Sequence, residues 1–476
     1  MAFLVGIGLA VIGWRASGAK CLGLLAVAVL LRRRTLLGLV LVAGLGLCLG
    51  GYRGNFYQHK LGAYRALGKQ RVTLTVQALD DAVYGPNAQL SFDAAHMQLD
   101  TGERLVGKIE VSGFGLPAIF AGDVVQVSGK LYPGWGAYQA QISYAELELV
   151  AHHSSLIASV RRKFDAGLQS ALPEPLASFG LGLLIGQRAT LPPSVKQDLL
   201  MVGLTHIIAV SGYNLTIILQ ASKGLLAERS KRLSLLLSLS LIGSFVLLAG
   251  SSASIVRAAI VSMLSIVAMY YGRTFKPLNL IVLAAALTAW LNPMYVWSDA
   301  SWYLSFLAFY GVLVVAPSFR ARWRPRWRES MVVSIALESA CAELMTLPFV
   351  LFTFGQISFI GLPANVLVTS LVPLAMLLCA IAGLAGMLVG PIAGWLAWPA
   401  RILLTYMLDI SHLLARIPHI FRQHLSLAVS GLVGLYTLAL GMSLLLQLKT
   451  KGATTVIPSA VEESMRSSKI SPLRSK

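Results

Sequence analysis

The chain is 476 residues long, 56% hydrophobic and only 12% charged, with a mean hydropathy of +0.71. This composition excludes an ordinary soluble enzyme and describes a polytopic membrane protein. The formal charge of +19 lies mostly in loops between apolar runs, where it records membrane orientation and does not by itself mark nucleic-acid binding.

A membrane-spanning helix needs roughly 17 to 25 mostly apolar residues. Two shorter runs, 2–14 and 21–31, predict extra spans, a re-entrant hairpin or one anchor; 35–51 is the first run of full length, and residues 1–51 read as N-terminal transmembrane segments. Residues 52–150 then change to short alternating segments, with strands predicted at 71–79, 89–99, 105–112, 123–131 and 139–149. Turn signals such as Tyr84-Gly85-Pro86-Asn87 and Tyr132-Pro133-Gly134-Trp135-Gly136 separate them. Five short strands predict a small β domain, either an OB-like barrel or another compact β fold. Residues 52–150 carry eight Lys/Arg and nine Asp/Glu, weak support for phosphate binding. A local groove of Lys108, Lys130, Tyr132, Trp135 and Tyr138 stays open beside a positioning or partner-contact role.

Residues 151–200 read as connecting helices. The stretch 154–172 is amphipathic, carries Arg161, Arg162 and Lys163 on its polar side, and is expected on the membrane surface against lipid headgroups. Gly180, Gly182 and Gly186 follow in an apolar segment and predict close helix approach. The core, 201–447, contains apolar runs near 201–220, 233–251, 254–271, 278–292, 302–317, 331–353, 362–389, 391–411 and 425–447. The expectation is an α-helical polytopic protein of about 10–12 spans with one inserted β domain. Residues 448–476 form a polar tail expected to be disordered.

Basic clusters at 32–34, 223–232, 273–276, 320–328 and 449–451 are separated by even numbers of spans if 362–389 and 391–411 are distinct passes. All five then share the cytoplasmic side, which places residues 52–200 outside and the C-terminus inside. Trp323 and Trp327 in the 320–328 loop suit interfacial anchoring as well as receipt of a cargo.

Polar groups in apolar runs are the functional candidates, because a side chain that loses its water needs a partner or a wet path. Residues 203–219 hold His206, Ser211, Gly212 and Asn214. His206 and Ser211 stand about 140° apart on an ideal helix with no nearby carboxylate, which disfavours a hydrolytic triad; Ser211-Gly212 instead predicts a helix break. His206 reads as a structural hydrogen-bonding group or as part of a gate. Arg257 cannot shed its charge and needs an acid, with Asp299, Glu338 and Glu343 as the candidates. It reads as half of a structural ion pair or as a cation that eases passage of a polyanion, and Asn365 poses the same choice. Cys21, Cys48, Cys341 and Cys379 all fall in apolar runs, so neither a disulfide framework nor a metal site is predicted. No nucleotide-binding glycine loop occurs, and no cofactor or catalytic residue is predicted.

Several motifs, in order along the chain, resemble the ComEC family of competence membrane proteins. They are Gly122 to Leu131, which is similar to the strand closing that family's outer OB-like domain; Phe179 to Leu191; His206-Ile-Ile-Ala-Val-Ser211-Gly212; Gly250 to Ala259 with Arg257-Ala258; Asp299 to Phe306 with Leu304-Ser305-Phe306; and Phe354 to Asn365. The resemblance implies a multi-pass inner-membrane channel component, not an enzyme, that passes single-stranded DNA into the cytoplasm in natural transformation. It implies a DNA-delivery protein outside and a cytoplasmic motor, and it adds DNA guidance as a reading of Arg161, Arg162 and Lys163. This chain has Tyr213-Asn214 where many relatives have Leu-His, and Tyr303 in place of a glutamine. The outer-domain disulfide of some relatives has no cysteines to form it here, and no His-x-His-x-Asp-His nuclease motif occurs. The implied nuclease is then a separate protein, or the chain is a truncated product. A secondary transporter, a lipid-handling protein or a non-conducting scaffold are the alternative readings.

Overall fold

The computed structural model describes residues 1–14, 35–84, 89–115, 118–153, 156–187, 190–208, 230–249, 253–272, 276–321 and 331–448. The N-terminal helix Ala2–Val11 lies along the long helix Thr35–Ala66 through a seam of small residues. A Cβ on Gly6 would strike the Leu47 carbonyl and one on Gly50 the Phe3 carbonyl, so only glycine lets the backbones meet there. Beyond its apolar part the long helix runs into the β domain. There Tyr64 is buried, and its hydroxyl donates to the Val106 carbonyl at 3.2 Å.

Strands run at β1 (Arg71–Ala78), β2 (Val83–Tyr84), β3 (Gln89–Leu99), β4 (Arg104–Leu105), β5 (Ile109–Phe114), β6 (Val124–Pro133) and β7 (Ala140–Ala151). Five of them close a ring, β1-β6-β7-β5-β3, because β3 also pairs with β1. Every pairing in the ring is antiparallel except β5 with β7. Alternation produced the strand expectation and also builds the core: Val72, Leu74 and Val76 of β1 point inward with Leu90 and Phe92 of β3 and Val125 and Val127 of β6. The third strand forms at 109–114 rather than 105–112, since Gly107, at φ +124, packs against the Gln139 side chain and interrupts the run.

Among the described residues, helices occupy the apolar runs of the core. Among the described residues three are long and apolar enough to cross a bilayer: Ala300–Arg320, Val333–Phe354 and Gly361–Val389. Two are irregular inside. The first has a π-helical turn at Gly311–Val315, where Gly311 lies against the Cys341 carbonyl; the last has a 3-10 turn at Thr369–Leu371. The largest apolar cluster joins Leu168, Phe179, Leu183 and Leu199 to Val368, Cys379, Leu404 and Met407.

Two helices make contacts that bear on the expectations for them. The amphipathic helix Leu156–Ala171 turns its apolar face onto Val372–Val389, where Gly167 meets Gly383 and Gly386 backbone to backbone. Its Arg161 and Arg162 pair with barrel acids, at 3.4 Å to Asp80 and 3.7 Å to Asp81. The run at 391–411 becomes a helix at Trp398–Ala415 that buries one stripe, Ala400, Leu404, Met407, Ser411 and Ala415. It is not among the three apolar helices, because Arg401, Asp409 and His412 fall along it.

The barrel meets the core at a second place. Ser298 Oγ donates to the Gly136 carbonyl at 2.6 Å, and Asn292 Nδ2 to the Ala137 carbonyl at 3.4 Å. Arg53 on the long helix donates to the Trp290 carbonyl at 2.9 Å, and Gln139 of the barrel donates to Tyr57 Oη at 2.6 Å.

Candidate functional site

The helix Pro193–Met201 ends at Gly203, which adopts φ +75. Gly203 N–H donates to Leu200 O, and Leu204 N–H reaches back to Leu199 O at 2.8 Å, the Schellman arrangement that a left-handed glycine permits. The sharp stop delivers His206 on the short helix Thr205–Ile208. Its Nδ1 is 3.2 Å from the Gly203 carbonyl, and the Asn365 side chain is its other hydrogen-bond partner. A carbonyl only accepts, so Nδ1 carries the proton.

Asn365 is nearly buried on the helix Gly361–Val368, and its Oδ1 accepts from Thr369 Oγ1 at 3.0 Å. Gly361, which opens that helix, lies under the Glu343 carboxylate; a Cβ there would sit 2.8 Å from Glu343 Oε1. Gly203 packs against Ser358 and Gly361, and the buried Ser358 Oγ has no hydrogen-bond partner among the described residues. His206, Asn365 and Ser358 thus gather where one helix ends at Gly203 and another begins at Gly361, and Glu343, from within the helix Met331–Phe354, faces that same Gly361. Ser358 was missed as a single residue, although it falls within the Phe354 to Asn365 motif. Ser211, Gly212 and Asn214 lie outside the described residues.

Arg257 forms the second polar centre, only 1% exposed on the helix Ala253–Tyr270. Its Nη2 donates to Ser254 Oγ at 3.1 Å, to the Ser301 carbonyl at 3.1 Å and to Ser301 Oγ at 3.2 Å. Asp299 is the acid that faces it, with Nη1 to Oδ2 at 3.8 Å. That is an ion pair without a hydrogen bond, and both Nη1 and Oδ2 lack hydrogen-bond partners among the described residues. Asp299 also caps the helix Ala300–Tyr310, its Oδ1 accepting from Ser301 N–H at 2.9 Å. One carboxylate therefore ends a helix and neutralises the arginine packed against it.

The other acids go elsewhere. Glu338 accepts from Ser334 Oγ at 3.3 Å and lies within the electrostatic reach of Arg320, while Glu343 faces Gly361. Ser305 is half-buried, four residues beyond Ser301 on the same helix.

The barrel candidates separate. Tyr138 Oη donates to both Asp93 carboxylate oxygens, at 3.0 and 3.1 Å, beside Lys108. Burial pushes the Asp93 carboxyl up to about 6, and Asp80 and Glu110 push in the same direction against Tyr138 and Lys108. That face is acidic. Trp135 is 78% exposed on the loop whose Gly136 and Ala137 dock on the core. Lys130 and Tyr132 share an exposed face of β6, Arg161 and Arg162 are held by Asp80 and Asp81, and Lys163 is exposed.

The Competence protein family model matches residues 183–449, more than half of the chain. The chain is 24% identical over 233 residues to ComE operon protein 3 of Bacillus subtilis (strain 168), an alignment covering 48% of this chain and 29% of that protein. The chain thus matches less than a third of that relative's length. No solved structure matches. Both polar centres lie inside the matched region, and with that match the chain belongs to the competence protein family, the ComEC/Rec2 group whose motifs it carries.

Proposed function

We propose that this chain is a membrane channel component that passes single-stranded DNA into the cytoplasm during natural transformation. The observation that carries the reading is the meeting of His206, Asn365 and Ser358 at the helix breaks around Gly203 and Gly361, with Glu343 facing Gly361, inside the family region. Interrupted helices with freed polar groups are tolerated at membrane depth where they line a cavity or a path. Arg257 is the cation of the path, kept charged at low cost by Asp299 until a phosphate passes. Its three hydrogen bonds to serines fix one edge of the guanidinium and leave the Nη1 side to the carboxylate.

In this reading the barrel is an extracytoplasmic OB-like domain. Its strand order, first-fourth-fifth-third-second with one parallel pair, supports that. The protein is a multi-pass protein of the inner membrane, with a delivery protein outside, a cytoplasmic motor and a separate nuclease as partners. Irregular turns at Gly311–Val315 and Thr369–Leu371 favour one second reading, a secondary transporter, since discontinuous helices also build solute sites.

The test is internalisation of labelled DNA in cells lacking the gene, restored with chains at matched membrane abundance. Wild type is expected to restore nuclease-protected DNA. Arg257→Ala leaves Asp299 buried and unpaired, at about 3–5 kcal/mol, whereas Arg257→Ala with Asp299→Asn removes both charges and keeps the helix cap. The double variant is expected to recover thermal stability but not uptake. Recovery of uptake would reduce the pair to a structural role. Unchanged internalisation on deletion in a transformable strain, together with flux of a small solute, would favour the transporter.

A further inference from the structure

A row of paired positions crosses the barrel from strand to strand at one level, with Arg71, Lys130, Tyr144 and Phe114 exposed along it and Gly113 and Ala145 buried. Arg71 of β1 is opposite Lys130 of β6, Lys130 is opposite Ser143 of β7, Ala145 of β7 is opposite Gly113 of β5, and Phe114 of β5 is opposite Gln89 of β3. Tyr144 falls between Ser143 and Ala145 at a β-bulge, where the register with β6 shifts between Ser128 and Lys130 and that with β5 between Val111 and Gly113.

The bulge is built into the neighbouring strands. A Cβ on Gly113 would sit 2.5 Å from the Ala145 carbonyl, and one on Gly129 would sit 2.5 Å from Ile142 Cγ2. Tyr144 itself takes φ +57, a conformation glycine or asparagine would adopt with less strain. The result is a tyrosine ring thrown outward, 78% exposed, with its centroid 5.7 Å from that of Phe114, itself 50% exposed. Bulges re-aim side chains in this way, and strained backbone gathers where a side chain's direction matters.

We propose that this row, with Lys130 and Arg71 at one end and Tyr144 and Phe114 at the other, is a contact surface for single-stranded nucleic acid. The inference rests on the DNA-uptake reading and names the surface that receives the strand. Unstacked bases offer flat faces to the two rings, and the cations take the phosphates; this pairing of charge with aromatic faces is how single strands are held without sequence preference. At strand spacing the three intervals from β1 to β5 carry the row roughly 14 Å along the curved sheet, room for a few nucleotides. Arg71 is bound to Glu146 at 2.6 Å, but both side chains are more than half exposed, and an exposed pair of this kind yields readily to a phosphate. The opposite pattern holds at Asp93, where Tyr138 is consumed by a carboxylate.

The test uses the full chain in phosphatidylcholine nanodiscs and a fluorescent oligothymidylate at fixed salt. Tyr144→Asn with Phe114→Ser removes both rings while suiting the local backbone, and is expected to weaken binding about tenfold. Lys130→Gln is expected to lower the salt dependence by about one phosphate contact. Wild-type binding with an unaffected double variant overturns the proposal, as does absence of wild-type binding. A Tyr144→Trp chain quenched by brominated lipid instead of by oligothymidylate also overturns it, since the row then faces the bilayer. Uptake in cells keeps the two readings apart. If the wild-type chain restores uptake and the double variant restores it equally, the row fails alone; if wild type restores none, the uptake reading fails with it.

Discussion

Asp93 shows how a single residue sets a condition for the barrel. Burial raises its carboxyl from 3.8 to about 6 in the folded chain. Such a group holds its proton more tightly folded than unfolded, so its contribution to stability is fully present below about pH 4 and is lost as the pH rises through about 6. Asp93→Asn keeps an acceptor for Tyr138 Oη and removes the buried charge. The variant is expected to be more stable than wild type above pH 6 and to converge with it near pH 4. Hydrogen exchange of β3 amides across that range is the measurement, and equal protection at pH 8 would remove burial as the cause. Asp123 goes the other way: burial pushes its carboxyl up, but bonds from Phe120 N–H, His153 N–H and His152 outweigh it and hold the group below the usual carboxylate range.

At the scale of elements, the helix Trp398–Ala415 decides the topology. The charge count along the sequence needs 391–411 as a full pass for the basic loops to share one side. The helix carries a buried stripe on one side, and its Arg401, Thr405 and His412 line a cavity of about 380 Å³ together with Glu174 and Asp198. His412 Nδ1 lies 2.7 Å from Asp198 Oδ2. Trp395 and Trp398 are exposed at its start, 85% and 61%, as interfacial anchors are. An interfacial placement predicts that Arg401→Cys, Thr405→Cys and His412→Cys, in a background without the native cysteines, all react with a membrane-impermeant thiol reagent. A pass predicts protection at Thr405 and reaction at one end only. The same labelling at a residue past Leu448 then reports on which side the chain continues.

Across the whole molecule, besides the long helix whose Tyr64 enters its core, the barrel is held among the described residues at two places, and both use polar groups. One is the 136–139 loop, which meets Asn292 and Ser298 beside Asp299 and, through Gln139, Tyr57 of the long helix. The other is Arg161 and Arg162 against Asp80 and Asp81, with Arg162 also 4.7 Å from the Phe120 ring centre. Partly exposed pairs of this kind contribute roughly 0.2–1 kcal/mol each. Reversing both arginines to aspartate is therefore expected to speed hydrogen exchange severalfold in the 119–123 turn without unfolding the barrel. Reversing Asp80 and Asp81 to arginine as well is expected to restore protection. Failure of the second change to rescue the first would mean the arginines act through packing and not through charge.

Much of this architecture was legible in local pattern. Alternation at Val72, Leu74 and Val76, and again at Val125 and Val127, marks strands because side chains on a pleated chain point to opposite faces in turn. Long apolar runs mark the helices at 300–320, 333–354 and 361–389 because the bilayer sets a minimum length. The motifs singled out His206, Arg257 and Asn365 because polar groups in such runs demand partners. Which partners they take was not legible. Asp299, Glu338 and Glu343 were equal candidates for Arg257, and only the packing of Ala253–Tyr270 on Ala300–Tyr310 selects Asp299. His206 and Asn365 meet because one helix ends at Gly203 and another begins at Gly361 against it. The row from Arg71 to Phe114 exists only once four strands take their register. Period and hydrophobic length are properties of neighbouring residues, so the sequence alone determined a helical membrane protein with an inserted β domain. Ion pairs and surface rows join residues far apart in the chain, so only the tertiary structure could decide them.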